Sequence, residues 1–435
     1  MSSSGKQGGL IIRLVLTGGL VLLPLFLLFT GCNKEESTVK EISFWGMGSE
    51  GEKIKLLIPE FEKQNPGIKV KVQMIPWTAA QEKLISSFAA DNMPDLCQLG
   101  NTWVPQFVML DALEPLDGFI NKSKSIKPEN YFTGIWQTNE VTGKIYGIPW
   151  YIDTRLIYYR KDIFKKVGYD EPPKNWEELL DLSRKIVKYQ NDPNKYAIYL
   201  PTNEWAPFII FGLQNGSDIL RANWTYGNFS APEFVEAFKY VIQFHKERLT
   251  PMGVSQVTNV YQAFEQEFFA MYISGPWNIP EFKKWMKDST GEKWGTMPIP
   301  GKHSSPGVSL AGGSSLVMFK SSKLKPEVWK FIEFLSTKKT QLEFYKVTNN
   351  LPALRSAWDE PIFRDDPFIK AFYDQFQFVM PTPKIAEWEQ IVFSKLQQYA
   401  EYSARGTLTV EEAMKEMDKG VDIILEKRRW MLSRY

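Results

Sequence analysis

Residues 41–99 read EISFWGMGSE GEKIKLLIPE FEKQNPGIKV KVQMIPWTAA QEKLISSFAA DNMPDLCQL. Ile42-Ser43-Phe44-Trp45 is a short strand signal. Ile54, Leu57, Ile58 and Phe61 then recur at helical spacing and stop at the turn Asn65-Pro66-Gly67. Next, Ile68, Val70, Val72 and Met74 alternate with Lys69, Lys71 and Gln73, the period of a strand with one buried face. Leu84 and Phe88 mark a second helix, and Pro94 precedes the apolar strand Asp95–Leu99. Strand and helix alternating in this order predict an α/β fold on a parallel, doubly wound sheet. In such sheets ligands bind beyond the carboxyl ends of the strands. Here those ends are Gly46–Glu50, Pro76-Trp77 and Gly100–Trp103, and two of the three carry a Trp. A binding cleft is expected there.

The flanking sequence sets the compartment. Lys6 and Arg13 precede an apolar run from Leu14 to Phe29, broken by Thr17, Gly18, Gly19 and Pro24. Thr30-Gly31-Cys32 follows, then a polar stretch over residues 33–40. A positive start, a short apolar core and small residues before a cut describe a secretory signal over 1–31, with 32–40 as a tether. The run is near the lower limit for a bilayer span, and Pro24 weakens it as a permanent helix. The small-small-Cys ending resembles the lipobox of bacterial lipoproteins, although Phe29 stands where Leu is usual. That resemblance implies a lipid-modified Cys32 at the mature N-terminus. A retained anchor helix is the alternative, and both place the bulk outside the cytoplasm, in the periplasm or on the outer face of the membrane.

The chain has 435 residues, 43% hydrophobic and 14% aromatic, enough for a large core and two domains. Its formal charge is +2, and without Lys6 and Arg13 it is neutral. Lys residues interleave with Asp and Glu, which argues against a nucleic-acid partner. Cys97, within Leu96-Cys97-Gln98-Leu99, is expected to pack as a buried thiol. Asn175 with Glu178 and Thr409 with Glu412 read as capping boxes opening helices. The second of these helices puts Met414, Met417, Val421 and Ile424 on one core face. Pro326 starts another helix, carrying Val328, Trp329, Ile332 and Leu335. Tyr158-Tyr159 reads as strand core.

Signals for chemistry are sparse. The two His residues, His245 and His303, have no metal-ligand partner at a workable spacing, so neither a metal nor another cofactor is expected. No G-x-S-x-G elbow and no phosphate-cradling G-x-x-x-x-G-K-[ST] loop is present. Gly312-Gly313-Ser314-Ser315 reads as a turn where backbone approaches something closely. Carboxylates are plentiful, and two of them facing a sugar would suffice for a glycosidase, so that enzyme stays open. Carboxylates also hydrogen-bond sugar hydroxyls without proton transfer.

Several stretches, in order across about residues 41–425, resemble family 1 extracellular solute-binding proteins. They are Ile42–Gly46, Phe61–Val70, Asn92–Asp95, Tyr146–Pro149, Leu156–Phe164, Pro173–Leu179, Ala270–Trp277 and Met297–Gly301. Together, the Gly275-Pro276-Trp277 block and the Tyr158-Tyr159-Arg160-Lys161-Asp162 block are the most specific. The resemblance implies a two-lobe periplasmic-binding-protein fold, each lobe a mainly parallel sheet flanked by helices, with the ligand cleft between lobes. One lobe would hold 41–149 and 305–350, the other 150–304 and 351–435, closing on the ligand about a hinge. It implies a sugar-binding, non-catalytic subunit of an ABC importer, monomeric, with transmembrane permease subunits as partners and the membrane reached through its lipid. Carried over by position, Ser49 and Glu50 offer polar groups after the first strand, and Asp153 is an acidic contact after the first crossing. Glu204 and Trp205 fall near an acidic-aromatic pair of the second lobe. Trp277 and Trp388 match aromatic platforms for pyranose faces, with Trp45, Trp77 and Gly313 as further candidates. Compared with maltose-binding members, the aromatic near the third strand end comes later, as Trp103, preceded by Asn101, and the Ser49-Glu50 pair differs in charge. A polyol, a sugar phosphate or a metal ion remains an alternative ligand on the same fold.

Overall fold

The computed structural model describes residues 39–434; the signal segment, Cys32 and most of the tether lie outside the described residues. Ile42 and Phe44 enter one apolar cluster, whereas Trp45 and Met47 enter another. The first strand is therefore covered on both faces, as a central strand between helical layers must be. Ten strands build two sheets: β1 (Lys40–Met47), β2 (Ile68–Ile75), β3 (Leu96–Gly100), β4 (Ile148–Asp153), β5 (Leu156–Arg160), β6 (Tyr196–Tyr199), β7 (Phe269–Ser274), β8 (Trp294–Met297), β9 (Gly312–Met318) and β10 (Leu351–Pro352). The first sheet runs β10-β4-β9-β3-β1-β2 and the second β8-β5-β7-β6. Each anchors one lobe of a two-lobe α/β fold.

β1 is parallel to β2, with Ile42 opposite Val70 and Phe44 opposite Val72, and parallel to β3. Beyond these strands the sheets are mixed rather than mainly parallel. β9 is antiparallel to both β3 and β4, and β10 to β4. In the second sheet only β6 and β7 run parallel, while β5 opposes both β7 and β8. A helix-covered crossover inside one sheet enforces parallel strands. Strands β4, β5, β8 and β9 flank passages between the lobes and escape that constraint.

Sheet membership also carries the first lobe past both expected divisions. β4 runs across 149/150 as far as Asp153, paired with β9 through a bulge at Trp150, and β10 lies beyond residue 350. The chain then passes between sheets at Thr154-Arg155, again between Met297 and Gly312, and after Pro352. Alongside, Ser309-Leu310 pairs in parallel with Val379-Met380.

The helical run after β1 is broken into Gly48–Lys53, Ile54–Leu56 and Ile58–Gln64, with Pro59 in the first turn of the last piece. Its predicted core residues Ile54, Leu57, Ile58 and Phe61 are buried. Met74 differs, being 40% exposed; at the end of edge strand β2, Ile75 takes the buried place instead. Cys97 is buried in the same cluster, which pushes its thiol up.

In the second lobe, Thr409 and Glu412 form a complete capping box. Met414, Met417 and Val421 are buried behind it and Ile424 partly so. Asn175 accepts from the Glu178 amide, but the Glu178 carboxylate turns to the Lys174 amide, so the reciprocal half is shifted by one residue. Val328, Trp329, Ile332 and Leu335 are buried on the helix Lys325–Leu335. Tyr158 is fully buried, stacked on Phe282 at 4.8 Å, and donates to the Gly275 carbonyl at 2.7 Å.

Candidate functional site

The carboxyl ends of the first sheet and the edge of the second lobe enclose a cavity of about 260 Å³. Trp77 begins the helix that follows β2, and Trp103 closes the short turn Asn101–Trp103 that follows β3. Both line the cavity, their rings 5.7 Å apart and tilted by 67°. Asn101 lines it too and is fixed by donating from Nδ2 to the Ala311 carbonyl at 3.0 Å.

Tyr151 and Asp153 stand two apart on β4, so the strand period turns both toward the cavity. The Tyr151 hydroxyl accepts from Gln98 Nε2 and from Ser314 Oγ, each at 2.9 Å. Burial, reinforced by the nearby Glu50 carboxylate, keeps it protonated far above neutral pH. Asp153 takes one bond from Arg155, Oδ1 to Nη1 at 3.2 Å. Burial raises the Asp153 carboxyl and the Arg155 guanidinium opposes that rise. Gly312-Gly313 is not a turn but the start of β9. Gly313 holds φ at +125°, and a Cβ there would lie 2.3 Å from the Tyr151 carbonyl oxygen, so the two strands meet at the cavity wall only through glycine.

The second lobe contributes Trp205 and Trp277. Trp277 follows β7 through Gly275-Pro276; a Cβ on Gly275 would stand 2.0 Å from the indole, so glycine gives the ring its seat. Trp277 is 47% exposed, and the Arg155 guanidinium lies 4.6 Å over its ring. A large apolar ring held half in solvent is poised to bury its face on a ligand.

Seven of the expected positions thus meet at one cavity: Trp77, Asn101, Trp103, Asp153, Trp205, Trp277 and Gly313. Five do not line it. Trp388 is fully buried, packed edge-on behind Trp205 at 5.9 Å, and Trp45 is a core residue under Lys83. In both cases the indole fills the apolar layer beneath the cavity wall instead of forming it. Ser49 bonds to Glu50, whose other oxygen accepts from Asn350 at 3.0 Å, so this pair ties the helix after β1 to the chain before β10. Glu204 turns back to the Ala206 amide at the start of its helix.

Arg155 and Tyr151 line the cavity without having been singled out from sequence, and Ser314 lines it as part of the segment read as a turn. Alternation along Pro149–Asp153 contains the signal for Tyr151, because it must share Asp153's face. Arg155 lies in the short inter-lobe link, where no periodicity operates.

Indole faces with hydroxyl, amide, carboxylate and guanidinium groups between them can bind a molecule that has apolar faces and a polar rim. Glycoside hydrolysis in its usual form needs two facing carboxyl groups. Among the described lining residues Asp153 is the single carboxylate, and it is engaged by Arg155. His245 is buried in the helix Pro232–Lys246. Among the described residues no cluster of His, Cys, Asp and Glu could hold a metal ion, and no helix is long and apolar enough to cross a membrane.

Residues 46–342 match the family of bacterial extracellular solute-binding proteins. The chain belongs to that family. As a solute-binding protein it is a binder by descent, not an enzyme. Its backbone superposes with a TM-score of 0.87 on the sugar-binding protein MalE from the phytopathogen Xanthomonas citri, at 43% identity over 91% of this chain and all of that one. The galactooligosaccharide-binding protein of Bacillus subtilis is 26% identical over 374 residues, 82% of this chain and 83% of the relative. The maltodextrin-binding protein MdxE of the same organism is 27% identical over 365 residues, 78% of this chain and 79% of the relative. The family match covers every residue that lines the cavity of this solute-binding protein except Thr382.

Proposed function

We propose that the chain captures a sugar, an oligosaccharide, between its lobes and delivers it to the transmembrane permease of an ABC importer. The observation that carries this reading is the convergence of Trp77, Trp103, Trp205 and Trp277 on one cavity whose described lining has a single carboxylate. A pyranose has faces of C–H groups and a rim of hydroxyls; indoles bury the faces, while Asp153, Asn101 and Arg155 serve the rim. The similarity to proteins named for sugar, galactooligosaccharide and maltodextrin binding supports the same ligand class. In this reading segment 1–31 is removed, Cys32 carries the lipid, 32–40 is the tether, and the protein works as a monomer outside the cytoplasm. The lobes would divide as 41–149 with 305–350 and 150–304 with 351–435, the strand residues 150–153 and 351–352 going to the first.

Calorimetry of the mature chain against maltose, trehalose, cello-, manno- and xylo-oligosaccharides tests the ligand class. One series should bind and elute unaltered from a sugar-separating column after hours of incubation. Silence across the panel would sink the sugar reading, and shortened products lost in Asp153→Asn would promote a glycosidase. Mass spectrometry of the mature N-terminus tests the anchor; an unmodified Cys32 or retained upstream residues would overturn it.

A further inference from the structure

A second hollow, of about 470 Å³, opens on the second lobe and shares no lining residue with the cavity described above. Its wall includes an irregular element: Ile391–Leu396 is a wide π-helical turn. Such turns accommodate one extra residue and often mark functional surfaces. Here Ile391, Val392 and Leu396 remain in the core, while Phe393 is turned outward and is 54% exposed.

The groups beside Phe393 suit a sugar rim. Asn203, Ser394, Gln397, Gln398 and Glu401 all face the hollow. The frame is fixed, because Gln397 donates to the Asn203 carbonyl at 2.6 Å and Glu401 is tied to Thr202 and Arg405. Gln397 and Gln398 use their Nε2 groups within the protein, to the Asn203 carbonyl and the Tyr402 hydroxyl, and both line the hollow. An exposed flat ring beside amide and carboxylate groups repeats, with one ring in place of four indoles, the chemistry of the main cavity.

Chain continuity joins the two places. Asn203 precedes Trp205, a main-cavity residue, by two positions, a reach of at most about 7 Å. Trp388, whose ring packs edge-on against Trp205 at 5.9 Å, precedes Phe393 by five residues.

From this arrangement we propose that the hollow at Phe393 is an outer subsite, holding the units of a long oligosaccharide that extend past Trp205. The inference rests on the oligosaccharide reading and adds to it a discrimination by chain length. The mature protein and its Phe393→Ala variant are titrated calorimetrically with maltose and with maltohexaose, and Trp277→Ala serves as the control for the main cavity. Phe393→Ala should weaken maltohexaose about tenfold and leave maltose unchanged, since a short ligand ends before the hollow. Trp277→Ala should weaken both. Unaltered maltohexaose binding in Phe393→Ala, or an equal loss for both sugars, overturns the subsite while the main-cavity reading stands. Failure of the unsubstituted protein to bind either sugar overturns both for this series.

Discussion

At the scale of single residues, Trp277 and Arg155 define the site between them. Trp277 keeps nearly half of its indole in solvent on a glycine seat, and a ring in that position serves a ligand better than a core. Trp277→Ala should therefore weaken sugar binding at least about tenfold, roughly 1.4 kcal/mol, with an unchanged unfolding midpoint. A dissociation constant equal to that of the unsubstituted protein would remove Trp277 from the site. Arg155 acts on its neighbour's charge. It opposes the rise that burial imposes on the Asp153 carboxyl, so in Arg155→Gln that carboxyl takes up its proton at a higher pH. If Asp153 accepts from sugar hydroxyls as a carboxylate, affinity in the variant should decline at a higher pH as solution is acidified. Superimposable affinity–pH curves from titration calorimetry would contradict this. Trp77 and Trp103 were legible in sequence as Trp at strand ends, and Trp205 and Trp277 through the family resemblance. Trp45 and Trp388, candidates through the same resemblance, lie in the core, since residue type alone does not say which face of a wall an indole occupies. Arg155 was not legible, because nothing periodic marks a two-residue link.

Among the elements, the helix Pro232–Lys246 carries a pH dependence of its own. Burial of His245 among apolar neighbours pushes its imidazole down to about 4 from 6.5, against the opposing influence of the Glu401 carboxylate. The unfolded chain then binds a proton between those values that the native chain refuses. Stability is full above pH 6.5 and falls as pH drops toward 4, by roughly 3 kcal/mol from this one group. Asp153 and Glu389, whose carboxyls burial raises, contribute the opposite slope, because the native state takes up their protons first. The difference between the native sequence and His245→Leu isolates the imidazole: urea midpoints of the variant should lose that acid-side decline. Equal declines in both proteins would place the cause elsewhere. Elements were read best where one rule acts alone, as in β1–β3 with their intervening helices and the capped helix Val410–Ile424. Gly312–Ser315 was misread as a turn because glycine pairs signal chain reversal and close strand approach equally.

For the whole molecule, two lobes joined at short crossings predict closure as the response to ligand. Titration with a bound oligosaccharide should shift the fluorescence of the cavity indoles and reduce the radius of gyration in X-ray scattering; constancy of both would remove hinge closure from the mechanism. Length pointed to two domains and the family resemblance to the two-lobe outline, whereas the strand directions around the crossings were not legible, because long-range pairing leaves no local pattern. Those pairings carry a consequence in time. β9 joins β3 to β4 within the first sheet, yet it is the ninth strand to be synthesised, some 200 residues after β3. At about 5–20 residues per second, the ribosome leaves β3 without that neighbour for on the order of tens of seconds. The growing chain therefore cannot complete its first lobe early, and a late-folding polypeptide stays threadable, the condition a secretion channel imposes on its cargo.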